Sequence, residues 1–235
     1  MYPATEAEAV KLAQASDAPG VVICPPYPFL AAVKKTLKKA KLGSQDLFYE
    51  PAGAYTGAVS AQELRSLGVV YVIVGHSERR KNFVETDEVI AKKVVAALAA
   101  DITPILCVGE TEAEREAGQA FSVLDRQVKV VLSQLPAGET KGLVICYEPV
   151  WAIRTNRAAG ASPPTAELIS QMIAYISGIV GNSGVDASFI YGGSVSSTDL
   201  LDYLVVPGIS GVLIGAASLK PAEFRAMIHS AFSQK

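Results

Sequence analysis

The chain has little charge and no excess of one sign. Charged residues make up 19% of it, the formal net charge is −2, and no basic cluster or stripe occurs. Nucleic acid and anionic membrane surfaces are therefore poor candidate partners. Long hydrophobic runs are missing too. The longest, such as Gly68 to Val74, fall far short of a bilayer's thickness. The first residues lack the charged-then-apolar pattern of a secretory leader, because the opening segment is already polar and acidic. Cysteine is scarce and odd in number. Cys24, Cys107 and Cys146 each lie within or end an apolar run, which reads as three reduced, buried thiols of a cytoplasmic protein rather than a disulfide or metal site.

What the chain does have is apolar sequence. Hydrophobic residues make up 50% of its 235 residues and are spread along its length. That suits one domain over residues 1–235, close to the ~250 residues of a single α/β barrel. No Pro/Gly-rich linker or low-complexity segment divides it.

The order of segments sharpens this reading. Thr5 followed by Glu8 forms a capping box ahead of an apolar face at Ala9, Leu12 and Ala13, so the chain opens with a helix. Gly20 to Cys24 reads as a buried strand stopped by Pro25 and Pro26. A Lys-rich helix from about Phe29 to Lys39 follows, then a weaker strand around Leu42 to Phe48 and an extended loop from Glu50 to Ser60. Further strands are predicted at Val69–Val74, Thr103–Val108, Leu143–Tyr147, Ser188–Tyr191 and Gly211–Ile214, with helices between them. Strands apolar on both faces and alternating with helices make a parallel sheet. The prediction is seven strands and eight main helices. That is an α/β fold, a (β/α)8 barrel lacking its first strand.

In such a barrel the strand C-termini form the active face, so polar residues ending apolar runs carry the argument. His76 directly follows one strand, in Val-Gly-His-Ser-Glu-Arg-Arg. It can polarise a carbonyl and shuttle protons, or simply cap the next helix. Glu78 could orient a neighbouring group, or pair with Arg79 or Arg80 in solvent. Glu148 ends another strand, ahead of Pro149 and the only tryptophan, Trp151. A carboxylate there suits proton abstraction beside a carbonyl, and the flanking Pro and Trp look like the hinge of a loop. The last two strands end in Gly192-Gly-Ser194 and Gly215-Ala-Ala-Ser218, small residues whose backbone N–H groups can approach an anion.

Together these segments resemble the triosephosphate isomerase family. Val74 to Arg80, Tyr147 to Ile153, Tyr191 to Val195 and Gly215 to Leu219 stand in that family's order and spacing, and Gly53-Ala-Tyr-Thr-Gly57 resembles the tip of its dimer loop. The resemblance implies the TIM-barrel fold and a glycolytic isomerase acting on triose phosphates in the cytoplasm. Glu148 would be the base, and His76 the neutral electrophile with Glu78 beside it. Arg154, Ser194, Gly215 and Ala216 would hold the phosphate through backbone N–H groups, under a lid from Ala152 to Arg157. No metal or organic cofactor is implied. Self-association through the loop around Tyr55 and Thr56 is expected, with Ala58 where that loop often has Glu.

The chain also departs from the family. Members begin with a strand ending Asn-Trp-Lys-Met, whose Lys faces the substrate, and Met1 here aligns with that Met. The expectation is an impaired isomerase with unpaired strand edges, and low stability, a rearranged N-terminal region, or an oligomer that covers the gap differently from the usual dimer. The alternative is an inactive homologue that binds phosphate ligands. Arg154 and Asn156 replace lid glycines, which bears on how readily the lid moves.

Overall fold

The computed structural model describes residues 3–136, 142–153 and 162–233. Its strands are β1 (Val22–Ile23), β2 (Lys41–Ser44), β3 (Tyr71–Val74), β4 (Thr103–Val108), β5 (Leu143–Tyr147), β6 (Ala187–Tyr191) and β7 (Ile209–Val212). They lie in chain order in one curled sheet, each parallel to the next. Parallel neighbours need a crossover between them, and helices supply it. These are α1 (Glu6–Ala15), α2 (Leu30–Thr36), α3 (Ala61–Ser66), α4 (Ser77–Asn82), α5 (Asp87–Ala99), α6 (Glu112–Glu116), α7 (Ala120–Gln134), α8 (Ala166–Gly181), α9 (Leu200–Leu204) and α10 (Pro221–Phe232). Eight of them are the expected main helices. The other two, α4 and α6, are single short turns inside the loops after β3 and β4. No helix of the described residues is long and apolar enough to cross a membrane.

Local chemistry places the helix starts. The hydroxyls of Thr86, Thr111, Ser60 and Thr165 each accept from the N–H three residues on, satisfying a donor that the helix cannot. Ser60–Glu63 and Thr111–Glu114 are full capping boxes. The predicted box at Thr5 is only half formed. Thr5 accepts from the Glu8 N–H, but the Glu8 carboxylate turns to the Ala4 N–H at 2.7 Å.

The sheet has two unequal faces because successive side chains alternate across a strand. Val72, Val74, Leu106, Val108, Ile145 and Tyr147 face the helices and are buried with Leu64, Ile90, Val94, Leu124 and Ile176 in the main core. The inner face is smaller. Ile105, Cys107 and Cys146 are buried there, against Tyr71, Ile73, Val144, Ile190 and Leu213, which are only half-buried. Cys24 is half-buried rather than buried, and all three cysteines are free.

One backbone position is strained. Val84 is β-branched, 78% exposed and held at φ 55°, where an L side chain costs about 1–2 kcal/mol. Val84→Asn, which tolerates that region, should raise the unfolding free energy by about 1 kcal/mol in urea titrations. In the same assay Ile176→Ala, at a fully buried site, should lower it by about 2–5 kcal/mol. A loss with the first variant, or no loss with the second, would contradict this account.

Candidate active site

The candidate functional side chains sit where the strands end. After β3 the chain turns at Gly75, whose φ is 74° and whose missing side chain leaves room for Ile90 and the Cys107 carbonyl. This turn brings His76 to the N-cap of α4, where its Nδ1 accepts the Glu78 N–H at 3.2 Å. The proton of the neutral ring is therefore on Nε2. After β4, Gly109 lies against the Glu148 backbone so closely that no side chain would fit. Its N–H and carbonyl are both held by the Gln127 amide. The end of β5 is thereby set beside the end of β3.

Glu148 and His76 meet there. His76 Nε2 lies 2.9 Å from Glu148 Oε1. The Ser77 N–H donates to Glu148 Oε2 at 2.9 Å, and the Ser77 hydroxyl donates to Oε1 at 3.2 Å. The carboxylate is only 4% exposed, so these donors replace the water it has lost. A Glu148 carboxylate that left Ser77 and His76 would free the imidazole N–H as well. Among the described residues no lysine or arginine side chain touches either group.

The remaining predicted residues are placed as follows. The Glu78 carboxylate is 64% exposed and 4.0 Å from His76 Nδ1, so its backbone rather than its acid group makes the close contact. It pairs with neither arginine. Arg79 binds Asp46 and Glu85, and Arg80 binds Asp87 and the Gly75 and Cys107 carbonyls. Ser194 is half-buried after β6, and Gly215 and Ala216 are exposed after β7, all at the same end of the sheet as His76 and Glu148. Arg154, and the lid from 154 to 157, lie outside the described residues.

Three contributors were missed by sequence reasoning. Ser77 is one, since nothing in sequence told its hydroxyl from a helix-start serine. Glu110 is the second. It is fully buried two residues beyond β4 and accepts from Trp151 Nε1 at 2.7 Å and from the Tyr147 hydroxyl. Burial raises its pKa, against the Trp151 bond, which lowers it. The signal was available, because Glu110 also follows an apolar run. Arg115 is the third, stacked 3.7 Å over the Trp151 ring. These groups grip the 3-10 turn Val150–Ala152, the segment expected to be the lid's hinge.

The architecture and these residues define a class: a parallel (β/α)-barrel protein with a carboxylate and an imidazole converging on the active face. The comparisons narrow the class. Residues 3–231 match the family model described as triosephosphate isomerase. The chain is 46% identical over 213 residues to the triosephosphate isomerase of Roseiflexus castenholzii, covering 89% of this chain and 83% of that one. It is 43% identical over 211 residues to that of Moorella thermoacetica, covering 89% and 84%. It is 40% identical over 234 residues to that of Thermoanaerobacter sp. strain X514, covering 96% and 94%. The chain belongs to the triosephosphate isomerase family, a family of isomerases.

The pair has a pH signature. Burial works against a charged His76, but the hydrogen bond and charge of Glu148 outweigh it, and the ring's pKa rises from 6.5 to about 9. A folded pKa above the unfolded one gives stability that is fully present below pH 6.5 and lost as pH rises through about 9. In Glu148→Gln the His76 titration should move down, and the pH slope of unfolding between those values should flatten. NMR of the ring signals reads this directly, since His76 and His229 are the only histidines. An unchanged His76 titration would overturn the coupling.

Proposed function

We propose that the chain interconverts dihydroxyacetone phosphate and D-glyceraldehyde 3-phosphate by proton transfer between adjacent carbons. Glu148 takes the proton from the carbon beside the carbonyl. His76 donates its Nε2–H to the carbonyl oxygen, which carries the developing charge, to give an enediol. His76 then takes back a proton from the neighbouring hydroxyl while Glu148 returns its proton to the former carbonyl carbon, which gives the isomer. The 2.9 Å contact of His76 Nε2 with Glu148 Oε1 is the observation that carries this reading. It holds a base and an electrophile together at the strand ends in a chain of the isomerase family.

Backbone N–H groups at Ser194, Gly215 and Ala216 would receive the phosphate, with Arg154 of the lid closing on it. The exposure of Gly215 and Ala216 at the end of β7 supports access from solvent. Glu78 acts on His76 through its backbone cap. Self-association would use the loop at Tyr55 and Thr56, where Tyr55 is 46% exposed. The chain would act in the cytoplasm, in glycolysis and gluconeogenesis.

A coupled assay on glyceraldehyde 3-phosphate tests the reading. Activity should be measurable, and both Glu148→Gln and His76→Gln should lower kcat by roughly a hundredfold or more. Activity that survives Glu148→Gln unchanged would sink the reading. Saturable binding of inorganic phosphate without turnover would favour the non-catalytic homologue.

A further inference from the structure

The proposed phosphate site includes the turn Gly192-Gly193-Ser194, which follows β6 directly. Both glycines are seated on side chains. A Cβ on Gly192 would overlap Cys146 Sγ, and one on Gly193 would overlap the hydroxyl and ring edge of Tyr191. The two supports come from opposite faces of the sheet, since Cys146 belongs to the inner cluster and Tyr191 to the main core. Where these side chains stand therefore fixes where the next backbone N–H, that of Ser194, can stand.

Cys146 is held by the sheet itself. It is fully buried within β5, in register with Cys107 of β4 and Ile190 of β6. Tyr191 is different. It is the last residue of β6, and its long ring is placed by what packs on it. Tyr147, beside it in register on β5, commits its own hydroxyl to Glu110. Tyr203 of α9 packs ring to ring on Tyr191, with centroids 4.6 Å apart and planes tilted by 36°. Aromatic pairs at this spacing attract beyond the area they bury. Within α9 only Leu200 and Tyr203 are buried, so Tyr203 is one of two side chains that keep this helix on the sheet. The helix in turn packs on β7, after which Gly215 and Ala216 follow. Between the turn and the helix the chain is pinned again, because Asp199 Oδ1 accepts the Ser196 N–H at 2.6 Å.

We propose that Tyr203 is a positioning residue for the phosphate site. By holding the Tyr191 ring under Gly193 it sets the place of the Ser194 N–H, and through α9 it ties that donor to those after β7. Its effect is on binding rather than on the His76–Glu148 pair, which stands at the ends of β3 and β5. The proposal rests on the reading of Ser194, Gly215 and Ala216 as the groups that receive phosphate. Small displacements matter there, since a misplacement of about 1 Å can cost about a hundredfold where geometry is selected.

The test uses the whole chain and inorganic phosphate, with the backbone N–H signals of Ser194, Gly215 and Ala216 followed by NMR. In the unaltered chain phosphate should shift all three saturably. Tyr203→Leu keeps apolar bulk but loses the ring, and should weaken phosphate binding by roughly tenfold. With glyceraldehyde 3-phosphate it should raise KM by a similar factor and leave kcat nearly unchanged. Tyr203→Phe keeps the ring and should restore both. Tyr191→Phe removes only the hydroxyl beneath Gly193 and should weaken binding severalfold. Adding Tyr203→Leu to that variant should cost less than Tyr203→Leu does alone. Leu124→Ala, a buried loss on α7 over β4, destabilises the fold elsewhere and should leave phosphate affinity as it was. Unchanged affinity in Tyr203→Leu, no recovery in Tyr203→Phe, or an equal loss in Leu124→Ala would overturn the proposal and leave the phosphate site standing. No shift at the three amides in the unaltered chain would instead remove the phosphate site, and the role of Tyr203 with it.

Discussion

A buried carboxylate must be given hydrogen-bond donors, and at Glu148 this requirement organises the active face. A lone charge at 4% exposure would cost several kcal/mol. Its donors come from the turn after β3, so β3 and β5 must end at the same level. The parallel register through β4, with Cys107 opposite Cys146 and Val74 opposite Leu106, delivers that. The same constraint explains the glycines. Gly109 lets the β4 turn approach the β5 end, and Gly75 lets the β3 turn approach Ile90 and the Cys107 carbonyl, with no side chain between. Glu110 repeats the arrangement one loop further on, where Trp151 and Tyr147 serve as donors.

Behind this face a buried ion network fixes α4 from below. Lys93 of α5, 3% exposed, binds both Asp46 and Glu85, and Arg79 of α4 binds the same two acids. Burial raises the Asp46 pKa, and the adjacent Lys93 pulls it back down. Removing one member of such a group leaves the others buried and unpaired. The network therefore holds in place the helix that His76 caps, through Arg79 of that helix.

How much was legible in the sequence depended on burial. The bounds of β4 and β5, Thr103–Val108 and Leu143–Tyr147, were predicted as observed. They are central strands whose apolar runs are uninterrupted. The strand predicted over Gly20–Cys24 shrank to Val22–Ile23, and the one predicted at Gly211–Ile214 moved to Ile209–Val212. These are edge strands, where pairing on one side only fixes the ends less firmly. His76 and Glu148 were singled out because each ends an apolar run, and the structure brings them into contact. Glu78 was singled out as the neighbour of His76, and its backbone N–H donates to His76 Nδ1. Its side chain faces solvent because the turn of α4 carries it past His76. Ser77, Asp46 and Lys93 escaped notice because their partners lie far away along the chain, where no local pattern reports them.

The distribution of burial then connects stability to chemistry. Helices α5, α7 and α8, over the centre of the sheet, bury five or six residues each, while α1 buries only Ala9 and Ala13 and α10 only Met227. Cohesion is greatest beneath the His76–Glu148 pair and weakens toward β1 and β7. Local opening should follow the same gradient, since elements with few buried apolar contacts open most readily. The Glu148 donors, Glu110 and Trp151 stand on the cohesive side. Ser194, Gly215 and Ala216, which would receive the phosphate, end the strands nearest the weak side. The two halves of the site thus rest on supports of unequal stiffness. The His76–Glu148 geometry is set by the firm centre of the sheet, and how well a phosphate would be held would depend on how firmly the β7 edge is kept in place.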